Sequence, residues 1–447
     1  MTQTSGDRVA VVGAGPSGFY AAEALLRARP GIRVDLFERL PVPFGLVRFG
    51  VAPDHQKLKQ VTAVFEKIAA MPGFRLVGGA SVGENLSLEE LRAAYHAVIL
   101  ATGAPKGRAL GIPGEDLAGS HSASDFVGWY NGHPDHRDLV FDLSAEKAVV
   151  IGHGNVALDV ARLLLKTPDE LRSTDIAAHA LEVLAESRVR EVHIVGRGGP
   201  SATRFSPKEL GEFGALADCD PALVLEDFAP DALVQPADTP PERRIAVELL
   251  QSFAAHVPSK RRRCVFRFNL SPLAIEGDGR VRRILLRRTT GDAASLGETV
   301  GLDCGFVLSS IGRRSEPIAG VPFDTGAGRY AHREGRVVDG DAIVPRLYAC
   351  GWCKRGPQGT IGTNRACATQ TVGEVLADLS GTDSPTLANP APLLARIAAE
   401  SGAVLDFAAW KRIDAIETEA GQRAGKPREK LASVEAMLAA TRRERVV

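Results

Sequence analysis

Cysteine is scarce in this chain: six in 447 residues, at Cys219, Cys264, Cys304, Cys350, Cys353 and Cys367. So few, so widely spread, exclude a small disulfide-stapled scaffold and fit a reducing, cytoplasmic compartment. Net charge is missing too. Lys plus Arg and Asp plus Glu both number 54, which excludes a nucleic-acid binder working by bulk charge and leaves any electrostatic partner to local patches. No apolar run approaches the ~20 residues that span a bilayer. The opening "MTQTSGDR" has neither the apolar core of a secretory signal nor the Arg-rich face of a transit peptide. What remains, 45% hydrophobic and 24% charged, is the composition of a globular protein with room for two or three domains.

What is present is a repeated turn. "RVAVV" (8–12) reads as a short buried strand, "GAGPSG" follows, and "FYAAEALLRAR" continues at helical period. Gly13, Gly15 and Gly18 fit G-x-G-x-x-G: a tight turn, a close approach for pyrophosphate, and close packing of helix on strand. A second strand ends at Glu38, where a carboxylate can grip the ribose hydroxyls of an adenosine. The pattern recurs in "KAVVIGHGNVALDVARLLLK", with Gly152, Gly154 and Ala157 as G-x-G-x-x-A. Here the following strand, in "EVHIVGRGG", is succeeded by Arg197 and not by an acid. A guanidinium pairs with a 2′-phosphate that a carboxylate would repel, so this second turn favours NADP over NAD. Two dinucleotide turns with opposite ribose ends suggest hydride traffic between a nicotinamide and a flavin. The strand-end "AVILATGA" (97–104) fits such two-dinucleotide flavoproteins.

With these residues assembled, the chain resembles the adrenodoxin-reductase-type ferredoxin–NADP reductases almost end to end. The resemblance rests on "VVGAGPSGFYAAEALL", "FERLPVPFGLVRFGVAPDHQKLK", "IPGEDLAGSHSASDFVGWYNGHP", "VVIGHGNVALDVARLLL", "VGRGGP…KELGE", "GWCKRGPQGTIGTN" and "WKRIDAIETEAG". It implies an α/β fold of two Rossmann-like domains, the NADP domain (106–334) inserted into a discontinuous FAD domain (1–105 and 335–447). It implies FAD contacts at Ser17, Glu38, Leu46, Val82, Trp352 and Gly359, Thr360 and Ile361. For NADP(H) it implies Arg108, His153, Gly154, Asn155, Val156, Arg197 and Glu209, and no metal. The family usually carries a second arginine where this chain has Gly198, so the preference for NADP is expected to shrink by ~1–2 kcal/mol, the scale of one charge-assisted hydrogen bond.

The implied activity is hydride transfer from NADPH to FAD, with the rings held at ~3–3.5 Å, then single electrons to a small acidic iron–sulfur ferredoxin. His55 and Glu212 are the expected proton-handling residues, His because it titrates near neutrality. Ferredoxin docking is expected on basic clusters: Arg243 and Arg244, "SKRRR" with Lys260, Arg261, Arg262 and Arg263, and the outward arginines of "RVRRILLRR" (280–288). Two rivals stay open at this point. Cys350 and Cys353 form a C-x-x-C that a disulfide reductase could use, although a packing role fits the family better. A flavin monooxygenase shares both glycine motifs.

Overall fold

A computed structural model describes residues 6–235, 238–290, 296–381 and 386–442. Among these the chain divides into two compact units. The first comprises residues 1–51, 55–106 and 313–447, and the second residues 52–54 and 107–312. One unit is thus discontinuous and the other is inserted into it.

The first unit is built on a seven-stranded sheet. Its strands β1 (Arg8–Val12), β2 (Arg33–Glu38), β3 (Phe74–Gly78) and β4 (Ala97–Leu100) are parallel, and Ala342–Ala349 joins β4 in parallel before an antiparallel edge at Arg336–Asp339 and His332–Arg333. β1 lies between β2 and β4. It is apolar on both sides because both sheet faces are covered: Val9 and Val11 enter one core cluster, Ala10 and Val12 the other. The chain leaves β1 toward β2 on one side and returns to β4 on the other. The helix α1 (Pro16–Ala28) therefore begins at a topological switch point, where such sheets open a crevice for ligands.

The second unit repeats the logic with a six-stranded parallel sheet. Its β5 (Lys147–Ile151) lies between β6 (Glu191–Val195) and the strand Phe306–Ser309, and is followed by α2 (Asn155–Leu165). Ala148 and Val150 face one core cluster, Val149 and Ile151 the other. A three-stranded antiparallel sheet, Leu270–Glu276, Arg283–Arg288 and Thr299–Asp303, completes the unit.

The inserted unit ends at Gly312 and not at 334. Residues beyond 312 are bonded into the first unit: Arg313 Nη1 donates to Pro105 O at 3.2 Å, Ser315 Oγ to Gly103 O at 2.6 Å, and Arg329 Nη1 and His332 Nε2 reach Lys354 O. Residues 52–54 join the second unit through Asp54, which pairs with Arg162 and Lys166. No described helix is long and apolar enough to cross a membrane.

Candidate functional site

Both glycine turns are locked at their first glycine by the neighbouring strand. Gly13 has φ 106° and Gly152 φ 138°, in the region that favours glycine. A Cβ on Gly13 would stand 2.5 Å from Ala101 O, and one on Gly152 would stand 2.2 Å from Ser310 O. Each turn also donates to the strand beside it, Gly13 N to Phe37 O at 2.8 Å and Gly152 N to Val195 O at 2.7 Å. The middle glycines differ from these. A Cβ on Gly15 or Gly154 would meet no protein atom within 4 Å, so nothing in the protein itself requires glycine there. The open space leaves the backbone approachable, which is the observation that fits a pyrophosphate at each turn. At Gly18 the constraint returns to the fold, because a Cβ would lie 2.0 Å from Gly13 O.

Around the first turn the chain assembles a cradle from distant segments. Glu38, half-buried at the end of β2, accepts from Ala14 N (3.0 Å) and Leu40 N (3.1 Å). Burial pushes its carboxyl above the ordinary value, and those N–H donors oppose the shift. Phe44 N donates to Ala14 O at 2.8 Å, and Gly45 lies so near that its Cβ would be 3.2 Å from Gly15 Cα. Leu46 follows, opening the short helix Leu46–Phe49. Val82 sits beyond β3 in a bridge with Leu86. Ser17 is buried, and its Oγ donates to Asn364 Oδ1 at 3.1 Å. That bond ties α1 to the first turn of the helix Thr363–Gly381. Arg355 Nη2 donates to the same oxygen at 2.6 Å. Trp352 opens the helix Trp352–Arg355 and donates Nε1–H to Gln358 O at 3.1 Å. Gly359 and Thr360 are exposed, and Ile361 packs partly against the core. The sequence reading included "GTN" only as part of a motif; Asn364's role in holding Ser17 needed the fold.

The two cysteines of the C-x-x-C are buried, as are the other four, and all six are free. The Cys350 thiol donates to Ser17 O at 3.8 Å, and Cys353 donates to Leu100 O (3.2 Å) and Cys350 O (3.1 Å). Burial raises the Cys350 thiol well above its ordinary value and Cys353 to about 11. A thiolate is the nucleophile in disulfide exchange, and neither thiol is disposed to become one near neutrality. They pack the strand end against α1.

At the second turn His153 lies between Phe205 and Phe268, with centroids 5.2 and 5.0 Å away. Its ring covers Gly196, whose Cβ would stand 2.3 Å from His153 Nδ1. Burial lowers this imidazole to about 4, so it is neutral at physiological pH. Asn155 Oδ1 accepts from Ser206 N at 2.9 Å, and Val156 is exposed. Arg197 is exposed and forms no ion pair among the described residues. Beside it, a Cβ on Gly198 would stand 2.9 Å from Ala202 Cβ. Glu209 belongs to the first turn of Pro207–Gly211, where its N–H donates to Ser206 Oγ at 3.4 Å. Arg108 N donates to Gly312 O (3.0 Å), while its carbonyl accepts from Ser309 Oγ (3.3 Å) at the same strand-end edge as Gly152.

Glu212 pairs with Arg162 at 3.1 Å, and Arg162, fully buried, also holds Asp54 and Asp159 at 2.8 Å each. Burial opposes charge on Arg162, but its carboxylates outweigh that and raise its pKa. His55 is buried and directly follows Asp54, at the head of the short helix Gln56–Lys59.

The basic clusters fare unevenly. Lys260 Nζ donates to Leu216 O at 2.6 Å, Arg261 pairs with Asp218 at 2.8 Å, and Arg262 is buried against the carbonyls of Leu165 and Lys166. Only Arg263 of that run is exposed without an ion pair among the described residues. In 280–288, Arg280 pairs with Asp142, Arg283 with Asp303 and Arg288 with Glu298. Arg282 and Arg287 stay exposed with no ion pair among the described residues, so these runs are only partly neutralised from within. Arg243 and Arg244 stay exposed in the first turn of Pro241–Ala255, with no ion pair among the described residues.

Comparison with known proteins agrees with this geometry. Residues 7–212 match the family pattern described as pyridine nucleotide-disulphide oxidoreductase. The mitochondrial NADPH:adrenodoxin oxidoreductase of Arabidopsis thaliana is 41% identical over 461 residues, covering 97% of this chain and 95% of that protein. The NADPH-ferredoxin reductase FprA of Mycobacterium tuberculosis is 43% identical over 453 residues, covering 96% and 98%. The solved structure of that FprA in complex with NADPH superposes with a TM-score of 0.90 at 41% identity, covering 98% of this chain and 99% of the other. The chain belongs to the family of NADPH:adrenodoxin and NADPH-ferredoxin reductases.

Proposed function

We propose that this protein is a flavoprotein reductase that takes hydride from NADPH onto FAD and delivers electrons singly to a ferredoxin. The carrying observation is the pair of turns with open middle glycines, Gly15 and Gly154, one followed by Glu38 and the other by Arg197. The first turn fits FAD and the second NADPH. When bound, FAD supplies the chemistry that converts a two-electron donor into a one-electron source.

The chain's own residues bind and orient. Backbone N–H groups of Gly15, Ser17 and Gly18, at the N-terminus of α1, would face the FAD pyrophosphate, and Glu38 would accept hydrogen bonds from the ribose hydroxyls. Leu46, Val82, Trp352 and residues 359–361 complete the FAD contacts, with Asn364 holding Ser17 in place. Gly152 to Val156 take the NADPH pyrophosphate, Arg197 the 2′-phosphate, and Arg108 and Glu209 flank them. His55 and Glu212 hold and move protons; the Arg162 pair fixes Glu212 for that task. A domain division near 106 and 312 follows the compact units.

Arg243 and Arg244 form the ferredoxin-docking site, with Arg263 as a further contact. Two cations in a helix's first turn oppose its macrodipole, so they are not there for the helix. Reversing both charges is expected to raise the KM for ferredoxin about tenfold and to flatten its salt dependence; an unaltered KM would put the docking site elsewhere. We assign the protein to the cytoplasm, supported by its six free, buried thiols.

The test is anaerobic stopped-flow bleaching of the flavin with NADPH and, separately, NADH. Fast bleaching by NADPH and much slower bleaching by NADH is the expected result. Equal rates would remove the 2′-phosphate role of Arg197. No bleaching by either would overturn the reductase reading.

A further inference from the structure

The missing second guanidinium at Gly198 leaves the 2′-phosphate one cation short, and the local geometry limits where a replacement can come from. Restoring a side chain at 198 brings its Cβ to 2.9 Å from Ala202 Cβ. Gly196 has no room either, because the His153 ring lies over it. His153 itself is clamped between two phenyl rings and is neutral at physiological pH. The strand β6 side of the turn thus offers Arg197 alone.

The other side of the turn is different. After the 3-10 turn Pro200–Ala202 the chain comes back alongside the glycine loop. Arg204 N donates to His153 O at 2.9 Å, Gly154 and Arg204 form an isolated parallel bridge, and Ser206 N donates to Asn155 Oδ1 at 2.9 Å. The backbone of Arg204 is therefore fastened to the open middle glycine of the turn. Its side chain is exposed, with no ion pair among the described residues, as is that of Arg197.

We propose that Arg204 is a nucleotide-specificity residue, supplying from the returning segment the second cation that grips the 2′-phosphate together with Arg197. This rests on the reading of the second turn as the NADPH site. A phosphate dianion held by two guanidiniums from opposite sides gains charge-assisted hydrogen bonds that NADH, with a hydroxyl there, does not make. Specificity is then carried by a backbone pairing instead of by the adjacent-arginine pattern of the family.

The experiment uses the holoenzyme and its Arg204→Ala, Arg204→Lys and Arg197→Ala variants, with adenosine 2′,5′-bisphosphate and 5′-AMP titrated by calorimetry and kcat/KM measured for NADPH and NADH. Arg204→Ala is expected to weaken the bisphosphate about tenfold or more and to lower the NADPH-to-NADH ratio of kcat/KM by a similar factor. Arg204→Lys is expected to recover part of that loss, since a point charge lacks the two-pronged fit. If Arg204→Ala binds the bisphosphate as the parent does while Arg197→Ala loses it, Arg204 is only solvated and the inference is overturned, with the NADPH reading intact. If the parent does not distinguish the bisphosphate from 5′-AMP, the NADPH reading falls and takes the inference with it. Thermal melts of each variant show whether a loss reflects the site or the fold; an exposed arginine is expected to leave them unchanged.

Discussion

The two glycine turns solve one steric problem with opposite electrostatics. Each is pinned at its first glycine by a carbonyl from the adjacent strand end and each keeps its second glycine clear of protein atoms. Beyond the turn they diverge. The first meets a half-buried carboxylate, Glu38, which is held by two backbone donors, and the second meets an exposed, unneutralised Arg197. In the proposed reading, turn geometry marks where a dinucleotide binds, and the residue after the second strand marks which one. The buried ion clusters of the two units are inverted in the same way. In the first, Glu417 sits between two guanidiniums, accepting from Arg48 Nη1 at 2.8 Å and Arg428 Nη1 at 3.0 Å. In the second, Arg162 sits among Asp54, Asp159 and Glu212.

That inversion gives the largest expected effects. Glu417→Ala strands Arg48 in the interior, fully desolvated beside Trp410. Removing one partner of such a pair costs about 3–5 kcal/mol, so the urea midpoint should drop accordingly, and the short helix bearing Leu46 should hold FAD less tightly. Arg162→Ala should cost a similar amount in the second unit. The second cluster also gives a pH response. Burial raises the Asp54 carboxyl, but Arg162 and Lys166 outweigh it and hold it well below the ordinary value. A carboxylate depressed on folding contributes stability that is complete above the unfolded value of ~3.9 and is lost as pH falls toward the lower folded one. Asp54→Asn should therefore flatten the acid limb of a pH–stability profile, which calorimetric melts between about pH 1.5 and 5 would resolve.

A smaller effect separates the third positions. Gly18→Ala forces a Cβ onto Gly13 O and should cost up to about 3 kcal/mol, as overpacking does. The second turn already carries alanine there, buried at Ala157, so Ala157→Gly should cost only about 1 kcal/mol of helix propensity and lost packing. Equal losses in denaturant titrations would mean that the turns are packed alike after all.

The smallest stability change, and the sharpest functional one, is expected at the middle glycines. Gly15→Ala and Gly154→Ala meet no protein atom, so each should shift stability by no more than about 0.5 kcal/mol. Flavin retention should fall in the first variant, and affinity for NADP+ in the second. Unchanged binding in either would remove that turn from the nucleotide sites.

Much of this was legible because it is local. A strand, a glycine turn and a helix follow one another within some twenty residues, so β1, α1, β5 and α2 could be read from spacing alone, and Glu38 and Arg197 from the end of the next strand in each unit. The partners of the basic run at 259–263 could not be read from the sequence because they come from elsewhere: Asp218 pairs with Arg261, and carbonyls of Leu165, Leu216 and Cys219 accept from its neighbours. A charge in sequence shows only its sign; whether it is free depends on what folds against it. The inserted unit's end was displaced for a similar reason, since the bonds from Arg313 and Ser315 reach back to Pro105 and Gly103.

By itself the sequence determined the two turns, the opposite charges of Glu38 and Arg197 after them and the α/β alternation, since each follows from residue type and period within one segment. Only the tertiary structure decided what surrounds them. It joined Ser17 to Asn364 across 347 positions and Arg48 to Glu417 across 369. It sealed Cys350 and Cys353 as packing thiols, and it brought Arg204 back beside Gly154. Hydrogen bonds and burial act over a few ångströms of space, and only folding brings such residues within that reach.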